Sequence, residues 1–308
     1  MSTFLQTIVA RKRVELAERR AAVPEAALER LAAEAPPPRD IVAALEPDRL
    51  GVIAEVKRAS PSKGAIALDL DAVRQARRYA EGGADAISVL TDEEFYHGSL
   101  DDLRAIRAAV PTPVLRKDFI LDRYGLLEAR AAGADLVLLI VAALAIGPYQ
   151  ATGDRRQALS ALVEEARALG LTPLVEVYTA EEAWVALEIG AELIGVNNRN
   201  LHTFEVSLET TERLAPLLAP HALVVSLSGM SSAADARRVV AAGARAVLVG
   251  EALVRADDPA ALIRELTSIP IAEGRGVVSL PNAGDRRQAI GDRTDVPPTA
   301  YRLSPGAE

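Results

Sequence analysis

The chain has 308 residues, half of them apolar and a quarter charged, with a formal net charge of −8. That length can bury a large core in one α/β domain or two smaller ones, and the acidic balance argues against nucleic acid as a partner. The lack of cysteine excludes disulfides, thiolate metal sites and a cysteine nucleophile, and no apolar run approaches the ~18 residues a spanning helix needs, so no membrane partner is expected.

The opening stretch, MSTFLQTIVARKRVELAERR, has no long apolar core followed by a small-residue cleavage site, so no signal peptide is expected and a cytoplasmic location follows. Residues 1–50 read as a helical extension. An amphipathic helix carrying Phe4, Leu5, Ile8 and Val9 is followed by the proline-stiffened connector AAEAPPPRD.

From residue 51 the chain alternates. Four phrases, GGADAISVL (82–90), AGADLVLLI (132–140), IGAELIGVN (189–197) and AGARAVLVG (242–250), each pass from a helix-ending glycine into an apolar run. GVIAEV (51–56), PVLRK (113–117), TPLVEV (172–177) and ALVVSL (222–227) bring the strand candidates to eight. Segments such as DLDAVRQARRYAEG and ALSALVEEARALG lie between them, with apolar residues three or four apart. Alternating strands and helices imply a parallel sheet, and uninterrupted apolar strands imply burial on both faces. Eight units over 51–268 approach the ~250 residues of a (β/α)₈ TIM barrel. A doubly wound sheet would place a glycine-rich turn after the first strand, where this chain has KRASPSKG. Residues 269–308, rich in Gly, Pro, Arg and Asp, read as a loosely ordered tail.

Barrel active sites form at the carboxyl ends of the strands. Those ends carry Glu55 and Lys57, then Lys117, Glu176, Asn197 with Arg199, Leu227 with Ser228, and Gly250 with Glu251. Side chains two apart on a strand share a face, so the charged members can all point into the mouth. Taken singly, each reads first as a solvated rim charge, the usual role of a strand-end Lys or Glu. Convergence of two lysines and two carboxylates argues for chemistry, because burial costs several kcal/mol per ion. Ser228-Gly229 and Gly250-Glu251 follow the seventh and eighth strands, where such barrels hold phosphate, although glycines also serve ordinary tight turns. His97, His202 and His221 are scattered in loop-like contexts, and no metal site is expected.

The phrases IAEVKRASPSKG, VLRKDFI, LLIVAAL, LVEVYT and GVNNRNL, in order over about 5–267, closely resemble the indole-3-glycerol phosphate synthase family of tryptophan biosynthesis. The resemblance implies a single barrel with an N-terminal helical segment and no cofactor. It also implies a carboxy-lyase acting on 1-(2-carboxyphenylamino)-1-deoxyribulose 5-phosphate. By the same resemblance Lys117 is the acid for ring closure, with Glu55, Lys57 and Glu176 sharing the later proton transfers. Asn197 and Arg199 orient the substrate. Ser60, Ser228, Gly229, Gly250 and the Glu251 amide hold phosphate. Tyr96, Phe119, Leu138 and Leu201 form the anthranilate pocket, with core packing as the alternative role for the two leucines. The chain is expected to be a monomer or weak homodimer.

The match breaks in four places. Leu227 stands where the family has Glu before Ser-Gly, AIGPYQATG (145–153) is inserted after the fourth strand, Asn200 replaces Asp, and the tail is long. The first two raise an alternative, a specialised paralogue acting on a substituted anthranilate or related aminosugar phosphate. A catalytically silent phosphate-binding barrel is the third reading.

Overall fold

The computed structural model describes residues 3–45, 48–146 and 155–271, so residues 147–153 of the insertion and the tail from 272 onward lie outside the described residues. Eight parallel strands close a barrel: β1 (Gly51–Val56), β2 (Ala86–Leu90), β3 (Val114–Lys117), β4 (Leu136–Ile140), β5 (Thr172–Val177), β6 (Leu193–Asn197), β7 (Leu223–Leu227) and β8 (Ala246–Val249). Each pairs with its neighbours in sequence, and β8 pairs with β1. Helices run back between them, the last being Pro259–Thr267.

The two-residue period of the strands divides the apolar side chains into two cores. Val52, Ala54, Ile87 and Val89 face outward and pack under the helices. Ile53, Ala86, Leu115, Leu136, Leu174 and Leu193 face inward and fill the barrel. The recurring Gly-Ala-Asp phrase also works at the strand bases. Gly83 and Gly133 take φ of 87° and 85°, which glycine adopts without penalty. Two residues later, Asp85 accepts the Val52 N–H at 2.8 Å and Asp135 accepts the Val114 N–H at 2.7 Å, each tying down a neighbouring strand.

The apolar pattern anticipates one N-terminal helix. The structure has α1 (Phe4–Ala22), α2 (Glu25–Glu34) and the single turn α3 (Ile41–Ala44). Pro24 caps α2 and marks the break between the first two. Below the barrel, Leu45 Cδ2 lies 2.5 Å from where a Cβ on Gly51 would stand, so the leucine packs into the space the glycine leaves at the start of β1.

At the opposite end, α1 buries Leu5, Ile8, Val9 and Leu16 with the inner core, and Phe4 meets Phe95 and Phe204 edge-on at 5.6 and 4.9 Å. Its anchor is Lys12, only 3% exposed. The ammonium lies 2.8 Å from Asp92, 3.0 Å from Asp118 and 2.8 Å from Glu15. Burial disfavours the Lys12 charge, but Asp118 and Asp92 outweigh it and hold the ammonium above its ordinary range. Burial likewise opposes ionisation of Asp118, yet Lys12 and Arg116 keep it below the usual carboxylate range.

Lys12→Met strands two buried carboxylates and should lower unfolding free energy in urea by about 3–5 kcal/mol. The Asp118 contribution is fully present above its unfolded pKa of ~3.9 and is lost as pH falls below that toward the folded value. The difference between variant and wild type should therefore narrow below about pH 4.

Candidate active site

At the carboxyl ends of the strands the inner face changes from apolar to charged. Glu55, near the end of β1, and Lys57, one residue past it, point the same way and meet at 2.9 Å. The second Glu55 oxygen faces the Ser88 hydroxyl on β2 at a long 3.5 Å. Burial pushes the Glu55 carboxyl up, but Lys57 and Lys117, with hydrogen bonds from Lys57 and Ser88, outweigh it and hold the group below its ordinary range.

Across the mouth, Lys117 ends β3 and Glu176 rises from β5. Their relation is set by a short relay. The Arg199 N–H donates to Asn197 Oδ1 at 3.0 Å, which turns the amide so that Nδ2 donates to Glu176 Oε1 at 2.8 Å. Glu176 Oε2 is left buried with no hydrogen-bond partner, 3.8 Å from Lys117 Nζ. A buried carboxylate oxygen without a partner is costly, and here it faces an open chamber.

That chamber, about 790 Å³, is lined by Glu55, Lys57, Tyr96, Lys117, Phe119, Glu176, Asn197, Arg199, Leu201, Leu227, Ser228, Gly229, Gly250 and Glu251. Two expected residues are not on its wall. Ser60 pairs with Gly64 in a two-residue hairpin, and the same loop reaches the chamber through Ser62 and Lys63. Leu138 lies beside Leu174 in the inner core, 1% exposed. Tyr96 and Phe119 stand 6.4 Å apart as an aromatic wall, and burial raises the Tyr96 hydroxyl well above its ordinary range, with Glu55 and Glu176 adding to it.

Phe204, Val206, Met230 and Arg255 also line the chamber, and no strand-end rule would have found them because they belong to loops and helix turns. Five cationic side chains (Lys57, Lys63, Lys117, Arg199, Arg255) face three carboxylates there, a balance suited to an anionic ligand. Ser228 and Gly229 both adopt left-handed backbone, with φ of 63° and 83°. Such turns can present successive amides to an anion. Glu251 turns its carboxylate to Arg255 Nε at 3.0 Å.

Leu227 is 2% exposed and in register with Asn197 and Leu248. Its Cδ1 stands 2.7 Å from where a Cβ on Gly195 would be, so the leucine fills the hollow that glycine leaves. His97 ends the short helix Glu93–Tyr96, and His202 is exposed. Among the described residues, no group of three or more His, Asp or Glu could hold a metal ion.

Fold and site together define a (β/α)₈-barrel enzyme with a cationic, partly apolar mouth. The model of the indole-3-glycerol phosphate synthase family matches residues 5–266, and the chain belongs to that family. A Mycobacterium avium indole-3-glycerol phosphate synthase is 47% identical over 267 residues, covering 87% of this chain and 94% of its own. The enzyme of that name from a Nocardioides species is 51% identical, covering 87% and 99%. The one from a Roseiflexus species is 48% identical, covering 86% and 98%. Among solved structures, 3-hexulose-6-phosphate synthase from Salmonella typhimurium superposes with a TM-score of 0.52 at 16% identity, over 71% of this chain and 97% of that one, a likeness of fold alone.

A Cβ on Gly250 would stand 2.6 Å from Glu55 Oε1 and 2.9 Å from Lys57 Nζ. Both are ends of flexible side chains, so Gly250→Ala should fold with a near-unchanged melting temperature while displacing the pair. Steady-state kinetics should show kcat/KM reduced about tenfold or more.

Proposed function

We propose that the chamber converts 1-(2-carboxyphenylamino)-1-deoxyribulose 5-phosphate to indole-3-glycerol phosphate, carbon dioxide and water. Beyond family membership, the observation that carries this reading is the pair Lys117 and Glu176: a lysine held beside a buried carboxylate oxygen that has no other partner. The reaction must close a carbon–carbon bond, expel a carboxylate and lose a hydroxyl, and each step calls for a proton at a defined place.

In the first step the ring carbon bearing the carboxylate attacks the ribulose carbonyl carbon. Lys117 protonates the carbonyl oxygen as its π electrons move there, leaving a hydroxyl. Carbon dioxide then departs, and the electron pair of the broken bond restores the aromatic ring. In the last step the hydroxyl leaves as water on receiving a proton, while a base removes a proton from the adjacent sugar carbon and the indole double bond forms. Glu176 Oε2 suits the base because nothing else occupies it. Lys57 suits the acid because it lines the chamber with its Nζ held 2.9 Å from Glu55, a carboxylate kept ionised by the lysines around it.

Tyr96, Phe119 and Leu201 suit the flat anthranilate ring, and Arg199 suits its carboxylate. The left-handed Ser228–Gly229 turn, with Gly250 and the Glu251 amide, suits the phosphate. The Glu251 carboxylate does not oppose this, since Arg255 draws it aside. The hairpin loop contributes Ser62 and Lys63 at the chamber wall in place of Ser60. The relatives do not favour the paralogue alternative, and Leu227 is read as a change in charge balance within the same reaction.

Purified protein given the substrate should generate the fluorescence of indole-3-glycerol phosphate. Lys117→Met should lower kcat by about 10² to 10⁴, the usual worth of a positioned acid. No product from wild type above that variant contradicts the assignment. Leu227→Glu puts a carboxylate on the wall of the chamber that both lysines line and should raise kcat. An unchanged or lower kcat would show that the leucine is neutral for the chemistry.

A further inference from the structure

The Ser228 φ of 63° is unusual for a residue with a side chain, and something must hold it there. Behind β7, on the side away from the chamber, Asn198 is 1% exposed and uses both ends of its amide. Nδ2 lies 2.9 Å from Ser226 Oγ, 3.0 Å from the Leu227 carbonyl and 3.1 Å from the Ser228 carbonyl. Oδ1 accepts from Thr211 N at 3.1 Å and Thr211 Oγ1 at 2.9 Å. The Ser226 and Thr211 hydroxyls are 2.8 Å apart and close the ring. The Asn198 backbone N–H also donates to the Leu227 carbonyl at 2.9 Å.

We infer that Asn198, braced by Thr211 and Ser226, is a positioning residue for phosphate recognition: it holds the end of β7 so that Ser228 and Gly229 keep their left-handed turn at the chamber wall. The inference rests on the reading of that turn as the phosphate seat. Thr211 belongs to the helix Glu209–Leu218, so the clamp also ties the turn to the outer layer of the barrel. Only the amide of asparagine supplies donors and acceptor together here. Aspartate would lose the donors to two carbonyls, and leucine of similar size would lose everything. Lys57, Lys117 and Glu176 stand on β1, β3 and β5, outside this ring. Loss of the clamp should therefore weaken phosphate binding more than it slows the chemistry.

The test is calorimetric titration of the full chain with inorganic phosphate, alongside steady-state kinetics. Asn198→Ala should weaken phosphate binding about tenfold and raise KM in parallel, with kcat changed by less. Thr211→Val removes a single donor to the amide, should act in the same direction by about threefold, and serves if Asn198→Ala does not fold. A folded variant with unchanged phosphate affinity, or one whose kcat falls while KM stays the same, overturns the inference. Wild-type protein that forms product yet does not bind phosphate overturns the seat itself. Failure to form product, by contrast, bears on the proposed reaction and leaves the titration to decide the clamp.

Discussion

Taking an ammonium or a carboxylate out of water costs several kcal/mol unless a partner compensates it, and this barrel does so repeatedly at one end. Glu55 with Lys57, Glu176 with Lys117, and Lys12 among Asp92, Asp118 and Glu15 all lie at or over the carboxyl ends of the strands. The third cluster is enclosed by protein, with the Lys12 ammonium within 3.0 Å of three carboxylates, and it fastens α1. The first two border open space, and Glu176 Oε2 there has no hydrogen bond, only the Lys117 ammonium at 3.8 Å. The closed cluster therefore reads as support, and the open ones as sites where a substrate completes the pairing.

The apolar interior makes that contrast possible. Leu174 and Leu193 pack below the charged layer, with Leu138 beside Leu174, as part of the inner apolar core. Charges above such a floor interact more strongly than in water. Leu227 extends the floor upward by occupying the hollow over Gly195. The isobutyl group packs there against Gly195 and Leu174 and leaves no cavity at the strand end. Arg199 and Asn197 then complete the wall, one backbone N–H setting the orientation of an amide, and that amide holding one oxygen of Glu176.

Much of this was legible in the residues. Strands buried on both faces must be apolar throughout, so the eight runs stood out, and the two-residue period placed Glu55 with Lys57 on the inner face. The same period could not give depth along the barrel axis, so it could not decide between the two roles open to Leu138, pocket wall by family resemblance or core packing, and the residue lies in the core. Loop paths have no period at all. Ser60 was expected at the phosphate, whereas Ser62 and Lys63 of the same loop reach the chamber. Lys12 sits in the run ARKR, where a buried cation looks like its solvated neighbours. Asn198 is missed for another reason: the strand period puts Asn197 on the face of Gly195 and turns Asn198 away, and nothing in GVNNRN says what its amide holds behind the strand.

The central claim is that these strand-end charges and the left-handed turn together grip one substrate in one orientation. A crystal structure with a non-cyclising analogue, in which the ribulose carbonyl is reduced to an alcohol, tests it most directly. The account predicts phosphate at Ser228, Gly229 and Gly250, the aromatic ring against Tyr96 and Phe119, and the alcohol oxygen within hydrogen-bond reach of Lys117. Phosphate bound away from that turn, or an alcohol oxygen far from Lys117, would contradict it.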